Sequence, residues 1–261
     1  MTWRELSLFS GYCGFTLGLR LAGLDVRTVG YVDNEPYIQK LIAQRIKDGF
    51  LDDAPIFGDV KLFLNEGHAG SYQGMVDILT AGFPCQPHSV AGKKRGESDK
   101  RNLWPETIGV VRAVRPRVVL LENVSHLLSG RRRLASYFGT VLGDMAESGY
   151  SSRWECLPAS RFGAPHQRDR AWIIAIHTDE SRCGDGFFAN KRHDIPRYKH
   201  WDSTKNIKGW ERWQRWLGET VPDGHWCKNE AVFCGVDDGS PEWMDRIGAL
   251  GNGIVPVVVA E

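Results

Sequence analysis

The sequence predicts an α/β fold built on a doubly wound parallel sheet. Two observations carry this prediction. From the N-terminus to about His177, short apolar runs of strand length alternate with stretches of helical length and spacing. The polar and glycine-containing turns that carry distinctive chemistry stand where the apolar runs end, which is where an open α/β sheet collects its ligands.

The first strand, Leu6 to Phe9, runs into the turn Phe9-Ser10-Gly11-Tyr12-Cys13-Gly14-Phe15, with Gly18 opening the helix that follows. Glycines let the backbone turn tightly and approach a ligand, and a helix N-terminus adds partial positive charge. The second strand, Thr28 to Val32, leads to Glu35, 24 residues beyond Gly11, where a carboxylate can accept from a ribose diol. The helix Pro36 to Gln44 follows. A third strand ends in Phe57-Gly58-Asp59-Val60, and Asp59 reads equally as an acceptor for an adenine amino group or as a helix cap. Together these turns outline a nucleoside-cofactor site.

The next strand, Val76 to Ala81, delivers the octet GFPCQPHS, in which Cys85 stands in a turn between Pro84 and Pro87. A strand cysteine is commonly an inert small hydrophobe, but a thiol outside the apolar run and held by prolines suits a nucleophile. The basic, glycine-containing segment Gly92 to Arg101 follows, with Lys93, Lys94 and Arg95, and reads as a loop closing over a phosphate backbone or as a plain surface loop. After the helix Trp104 to Val114, the strand Val118 to Leu121 ends in Glu122-Asn123-Val124, where Asn123 can hold the turn. A helix over Leu134 to Glu147 and a last buried parallel strand over Ala171 to Ile176 complete the pattern.

Composition bounds the rest. The 261 residues are 42% hydrophobic, enough for one main domain with a small elaboration. Six cysteines without close pairing, no signal peptide and no long apolar run predict a reduced, cytoplasmic protein without membrane spans. The net charge of +1 gives no global steering toward a polyanion. Charge is segregated locally instead: Lys191 to Arg215 hold eight basic residues against three acids, and Glu219 to Asp245 hold seven acids against one lysine. The periodic pattern lapses after Ile176. Three segments result: a catalytic and cofactor-binding domain at 1–177, a polar, tryptophan-rich subdomain at 178–240 and a returning segment at 241–261.

These motifs resemble the cytosine-C5 DNA methyltransferases of bacterial or phage type. The matching stretches are LFSGYCGFTLGL, DNEPY, GDV, GFPCQPHS, ENV, RFGAPHQRDR and ALGNGIVP, in the family's order over nearly the whole chain. The resemblance implies a Rossmann-like S-adenosylmethionine-dependent methyltransferase fold with a small target recognition subdomain at 178–240. It implies that Phe9, Ser10, Gly11, Cys13, Gly14, Phe15, Glu35, Pro36, Asp59, Val60, Pro84 and Asn252 surround the cofactor. Cys85 is then the nucleophile at cytosine C6 and Glu122 the acid at N3, with Arg168 and Arg170 from the basic motif beside them; Arg170 is the better candidate for the cytosine O2. The cytosine must leave the duplex, with Gln86 and Ser89 as contacts to the vacated space.

Departures are specific. Cys13 stands at a usual glycine, Ser7 at an often acidic position, His88 at a frequent phenylalanine and His166 at a usual glutamine. A side chain at 13 would crowd the cofactor if that residue adopts positive φ.

For the DNA surface, Lys205, Lys208, Arg212 and Arg215 come first, whereas Trp210, Trp213 and Trp216 recur at helical spacing and read as a core stripe. His225, Cys227, Cys183 and Cys234 match no compact finger, so no metal is expected. Double-stranded DNA is the expected partner and a monomer the expected state. A cognate restriction endonuclease, a solitary role and a phage-borne role all stay open. An RNA substrate is the nearest alternative, and an inactive DNA-binding protein and a nucleotide-binding oxidoreductase are the others.

Overall fold

The computed structural model of the chain describes residues 1–84, 102–129, 132–162 and 168–179, together with Ile254 and Val259. Its elements, in order, are β1 (Trp3–Leu8), α1 (Gly14–Leu21), β2 (Val26–Val32), α2 (Pro36–Lys47), β3 (Ile56–Phe57), α3 (Val60–Asn65) and α4 (His68–Ser71). There follow β4 (Ile78–Ala81), α5 (Trp104–Val114), β5 (Val118–Val124), α6 (His126–Ser129), α7 (Arg132–Glu147), β6 (Tyr150–Pro158) and β7 (Asp169–His177). A 3-10 turn at Ala159–Phe162 leaves β6.

The strands form one seven-stranded sheet in the order β3-β2-β1-β4-β5-β7-β6. β1 to β5 pair in parallel, whereas β7 runs antiparallel to both β5 and β6. The expected parallel strand at Ala171 to Ile176 is therefore corrected in direction. Ala171, Trp172, Ile173 and Ala175 of its apolar run are buried whereas Ile174 is exposed, and such a run reads the same for either polarity. β6 escaped the apolar pattern because it is the edge strand, with Ser151, Arg153, Trp154 and Cys156 exposed.

Pleating sends side chains to two layers. Leu6 and Leu8 of β1, Leu79 and Ala81 of β4, Val119 and Leu121 of β5, and Ile173 and Ala175 of β7 pack with Phe63 of α3, Val111 of α5 and Val141 and Met145 of α7. On the opposite face Trp3, Val26, Ile78, Val118, Leu120 and Trp172 pack with Phe15 and Leu19 of α1. Phe15 meets Trp172 edge-on at 5.9 Å between centroids. Ile38 and Ile42 of α2 close a third, smaller cluster with Cys13 and Tyr31.

Local signals set the helix starts. Pro36 opens α2, where its missing N–H costs nothing, and Asp59 caps α3 by accepting from the Lys61 N–H at 2.8 Å. Arg45 and Lys47 in the last turn of α2 suit the negative end of its dipole.

The topology positions the site. β1 feeds α1 on one face, and the next helix after β4, α5, packs on the other, while β1 and β4 are neighbours. This reversal opens a crevice beyond their carboxyl ends.

Candidate active site

The turn after β1 has an unusual backbone. Phe9, Gly11 and Cys13 have φ of 52°, 52° and 64°. For a residue with a Cβ, the left-handed region costs about 1–2 kcal/mol and persists only where neighbours hold it. Ser10 supplies much of that hold: its hydroxyl donates to the Ser7 carbonyl at 3.0 Å and accepts from Val32 N–H at 3.2 Å. Its own N–H reaches the Val32 carbonyl, and its carbonyl accepts from Cys13 N–H at 2.8 Å.

Asp33, at the end of β2, completes the stitching. Its Oδ2 accepts from Gly11 N–H at 2.8 Å and its Oδ1 from Glu35 N–H at 3.0 Å, while its own N–H donates to the Phe57 carbonyl. Burial pushes its carboxyl above the ordinary range, against the pull of these two N–H groups. The turns after β1, β2 and β3 are thus tied through one buried acid that sequence reasoning missed. An isolated aspartate after a strand resembles any turn residue, and only the adjacent Asn34-Glu35-Pro36 helix start pointed near it.

Cys13 adopts the positive φ of a glycine position. Its side chain is buried with Tyr31, Ile38 and Ile42, and burial, aided by Glu5 and Asp33, holds the thiol far above its usual pKa. The extra atoms fill the core under α2. Gly14, by contrast, is required by close approach: a Cβ there would collide with the Ile254 carbonyl oxygen. The Tyr12 hydroxyl donates to that same oxygen at 3.4 Å.

Two further acids stand at neighbouring strand ends. Glu35 precedes Pro36 as the N-cap of α2, is exposed, and makes no side-chain capping bond. Asp59 is exposed and already caps α3, so the capping alternative for it is realised. Val60 beside it is buried in the main core, as is Phe63 one turn on.

Across the crevice lies the acid of β5. Glu122 is buried, and its Oε1 meets Arg170 Nε of β7 at 2.7 Å. This pairing follows from register, because Glu122 faces Trp172 and Val124 faces Arg170 in the antiparallel ladder. Burial pushes the Glu122 carboxyl above its ordinary range, and the charges of Arg170 and Arg168 oppose that rise. Arg168 has a φ of 34° and is half-buried; burial and the neighbouring Arg170 charge lower its pKa, with Glu122 and Tyr12 acting the other way.

Asn123 reaches the other way. Its Nδ2 donates to the Phe83 carbonyl at 2.9 Å and its Oδ1 accepts from Val124 N–H at 2.9 Å. The segment leading out of β4 is therefore fastened to β5 at the residue before Pro84. Gly82 lies within van der Waals reach of both arms: a Cβ there would stand 3.2 Å from Ile254 Cδ1 and 3.5 Å from Glu122 Oε2.

A buried acid paired with arginine thus lies beside the strand end that leads through Gly82 to Pro84, in the same sheet as the tightly stitched turn after β1. The comparisons with known proteins give that arrangement a family. The model for "C-5 cytosine-specific DNA methylase" matches residues 3–229. The chain belongs to the C-5 cytosine-specific DNA methylase family. It is 32% identical over 179 residues to the type II methyltransferase M.NgoMIV of Neisseria gonorrhoeae, covering 69% of this chain and 53% of that protein. It is 34% identical over 180 residues to M.CviJI of a Paramecium bursaria Chlorella virus, covering 69% and 44%. The chain spans about half the length of these curated relatives. Among solved structures, Spodoptera frugiperda DNMT2, a mutant form, superposes with a TM-score of 0.52 at 21% identity over 74% of this chain and 53% of that one. That likeness is one of fold: a Rossmann-like methyltransferase core with a mixed sheet and flanking helices.

In this family member Phe9, Ser10, Gly11, Glu35, Pro36, Asp59, Pro84, Glu122, Arg168 and Arg170 stand at or just beyond strand ends, as does the backbone of Cys13, Gly14, Phe15 and Val60, but the side chains of Cys13, Phe15 and Val60 are packed into the core. Cys85, Gln86, Ser89, Lys93, Lys94, Arg95, Lys205, Lys208, Arg212, Arg215 and Asn252 lie outside the described residues, as do the segments 180–253 and 260–261. No helix among the described residues is long and apolar enough to cross a membrane.

Proposed function

We propose that this chain transfers a methyl group from S-adenosylmethionine to C5 of a flipped-out cytosine in double-stranded DNA. The observation that carries the reading is the buried Glu122–Arg170 pair, fastened through Asn123 to the backbone that leads into Cys85. A buried carboxyl pushed above the ordinary range is suited to donate at cytosine N3, and the adjacent guanidinium is suited to the O2 of the same ring.

Cytosine C5 is a poor nucleophile until the ring is attacked at C6. The Cys85 thiolate adds there, and the electron pair pushed into the ring is met by the Glu122 proton at N3. C5 then carries the nucleophilic electron density. After alkylation the C5 proton is lost to solvent base as the Cys85 sulfur leaves as thiolate, and the N3 proton returns to the Glu122 carboxylate, so ring, acid and thiol are all restored. Of the described thiols, Cys13 is buried with its pKa pushed up, and that of Cys156 is raised by burial and by Asp169 and Glu155. Neither is activated, so neither competes with Cys85 for the nucleophile's role.

The residues present fit S-adenosylmethionine. No atom of the described residues lies within 4 Å of a Cβ built on Gly11, and Glu35 offers an exposed carboxylate at the next strand end. Bound there, the cofactor supplies an electrophilic methyl on sulfonium. Glu35 would hold the ribose diol, Asp33 fixes the turn beneath, and Asp59, its Oδ1 engaged by the Lys61 N–H, keeps Oδ2 for an adenine amino group.

The test is incubation of the protein with labelled S-adenosylmethionine and either mixed genomic DNA or transfer RNA, followed by nucleoside analysis and sequencing of modified sites. Cys85-dependent 5-methylcytosine at one short duplex sequence is the expected result. Labelled RNA alone would replace DNA with RNA as substrate, and cofactor and DNA binding without product would favour an inactive binding protein.

A further inference from the structure

Glu5 lies in the middle of β1, fully buried, where the mechanism makes no use of it. Three hydroxyls converge on its carboxyl group. Thr16 Oγ1 and Thr28 Oγ1 donate to Oε2 at 2.7 and 2.9 Å, and Thr80 Oγ1 donates to Oε1 at 2.8 Å. All three threonines are themselves completely buried. Among the described residues no cation pairs with Glu5, and burial pushes its carboxyl up despite the three hydroxyls and the charge of Arg20.

Stability alone does not account for this cluster. The layer around it is apolar, holding Trp3, Val26, Ile78 and Leu19. Burying a carboxyl costs several kcal/mol, and apolar groups of matching volume in place of such a set are often neutral or stabilising. What the cluster does provide is connection. Thr16 is two residues into α1 after Gly14, at the end of the cofactor turn; Thr28 is on β2, which runs directly into Asp33; Thr80 is on β4, five residues before Cys85. A register shift between Glu5 and Leu6 sets Thr28 opposite Glu5 and Gly30 opposite Leu6, leaving Val29 as the extra residue. β1 pairs through its backbone with β2 on one side and β4 on the other, and Glu5 adds a side-chain link from that three-strand core to α1, which no backbone ladder supplies.

We infer that Glu5 is a positioning residue for methyl transfer: through Thr16, Thr28 and Thr80 it fixes the spacing between the cofactor turn and the strand that delivers the nucleophile. The inference rests on the proposed function. It assigns separate consequences to the separate arms. The Thr16 arm holds the turn that would carry the methyl donor, and the Thr80 arm holds the strand that leads to the thiol.

The test compares Thr16→Val, Thr80→Val and Glu5→Gln, together with an all-apolar set combining Glu5→Leu with valine at the three threonines. Melting temperature, S-adenosylmethionine Kd by calorimetry, and kcat and KM for DNA are measured for each. Thr80→Val is expected to lower kcat about tenfold with cofactor Kd unchanged, because a small misplacement of reacting groups costs that much or more. Thr16→Val is expected to raise the cofactor Kd several-fold. Glu5→Gln, whose amide can still accept from two hydroxyls and donate to the third, is expected to stay near the parent. The all-apolar set is expected to melt at or above the parent temperature while losing kcat.

Folded single valine variants with parent kcat and Kd would overturn the inference, whether or not the all-apolar set folds. An inactive parent protein would overturn the proposed function instead, and the effect of Thr16→Val on cofactor affinity would still report on Glu5.

Discussion

In the proposed mechanism, Glu122 is the residue on which the chemistry turns. Its carboxyl is held above the ordinary range by burial, so it keeps its proton at pH values where an exposed glutamate has lost it. As pH rises through that raised value the donor is lost, and kcat/KM should fall on the alkaline side. Glu122→Gln should lower kcat by about 10²–10⁴-fold and remove that alkaline limb, measured by steady-state methylation across pH. An unchanged limb in the variant would assign it to another group. Glu122 stood out in the sequence as a candidate because a polar pair at the end of an all-apolar strand has few structural uses, and the structure places it buried against Arg170. Glu5 and Asp33 were not, because a single acid among apolar or turn residues carries no sign of the threonines or backbone N–H groups that three-dimensional pairing brings to it. Cys13 was legible as a departure, yet its consequence needed the structure: the side chain goes down into the Tyr31 and Ile38 cluster. Asp33→Ala should therefore strand the Gly11 and Glu35 N–H groups, weakening cofactor binding and costing about 1–3 kcal/mol in denaturant titration.

At the scale of elements, the two ends of the sheet are held by different chemistry. At the carboxyl end Asn123 ties β5 to the segment after β4 through the Phe83 carbonyl. Asn123→Ala should lower kcat with little change in cofactor Kd, since the tie lies on the nucleophile side of the crevice; an equal loss in both would contradict this. At the amino end Asp77 receives Arg4 N–H and Nε at 3.0 Å each, and Arg117 Nη1 stands 3.9 Å away. Burial pushes the Asp77 carboxyl up, but the Arg4 hydrogen bonds and the two arginine charges outweigh it and leave the pKa lowered. A lowered carboxyl contributes stability above its unfolded pKa and loses it as pH falls through the folded value. Asp77→Asn should then cost about 1–3 kcal/mol at neutral pH and flatten the loss of stability below about pH 4, followed by urea unfolding. The elements themselves were largely legible: α5 runs over Trp104–Val114 as its spacing foretold, and β1, β2, β4 and β5 carry the apolar runs. The hairpin of β6 and β7 was not, because an exposed edge strand has no apolar face to announce and a buried strand does not disclose its direction.

At the scale of the molecule, one reversal in strand order organises the proposed site. Because β1 and β4 are neighbours with their helices on opposite faces, the turn after β1 and the segment leading to Cys85 emerge side by side, and β5 brings Glu122 next to Gly82 of that segment. The order of motifs along the chain, together with family membership, made this arrangement foreseeable, while the ties that set its dimensions are contacts between residues far apart in sequence. The central claim is that Cys85 becomes covalently joined to the cytosine ring. Duplex DNA containing 5-fluorocytosine tests it most directly, because fluorine at C5 blocks the final loss of a proton and traps the adduct after alkylation. With S-adenosylmethionine present, the account predicts a denaturant-resistant protein–DNA complex whose proteolysis and mass spectrometry place the nucleotide on Cys85, and which Cys85→Ser abolishes. Attachment at another cysteine, or cytosine methylation by the Cys85→Ser protein without any trapped complex, would contradict it.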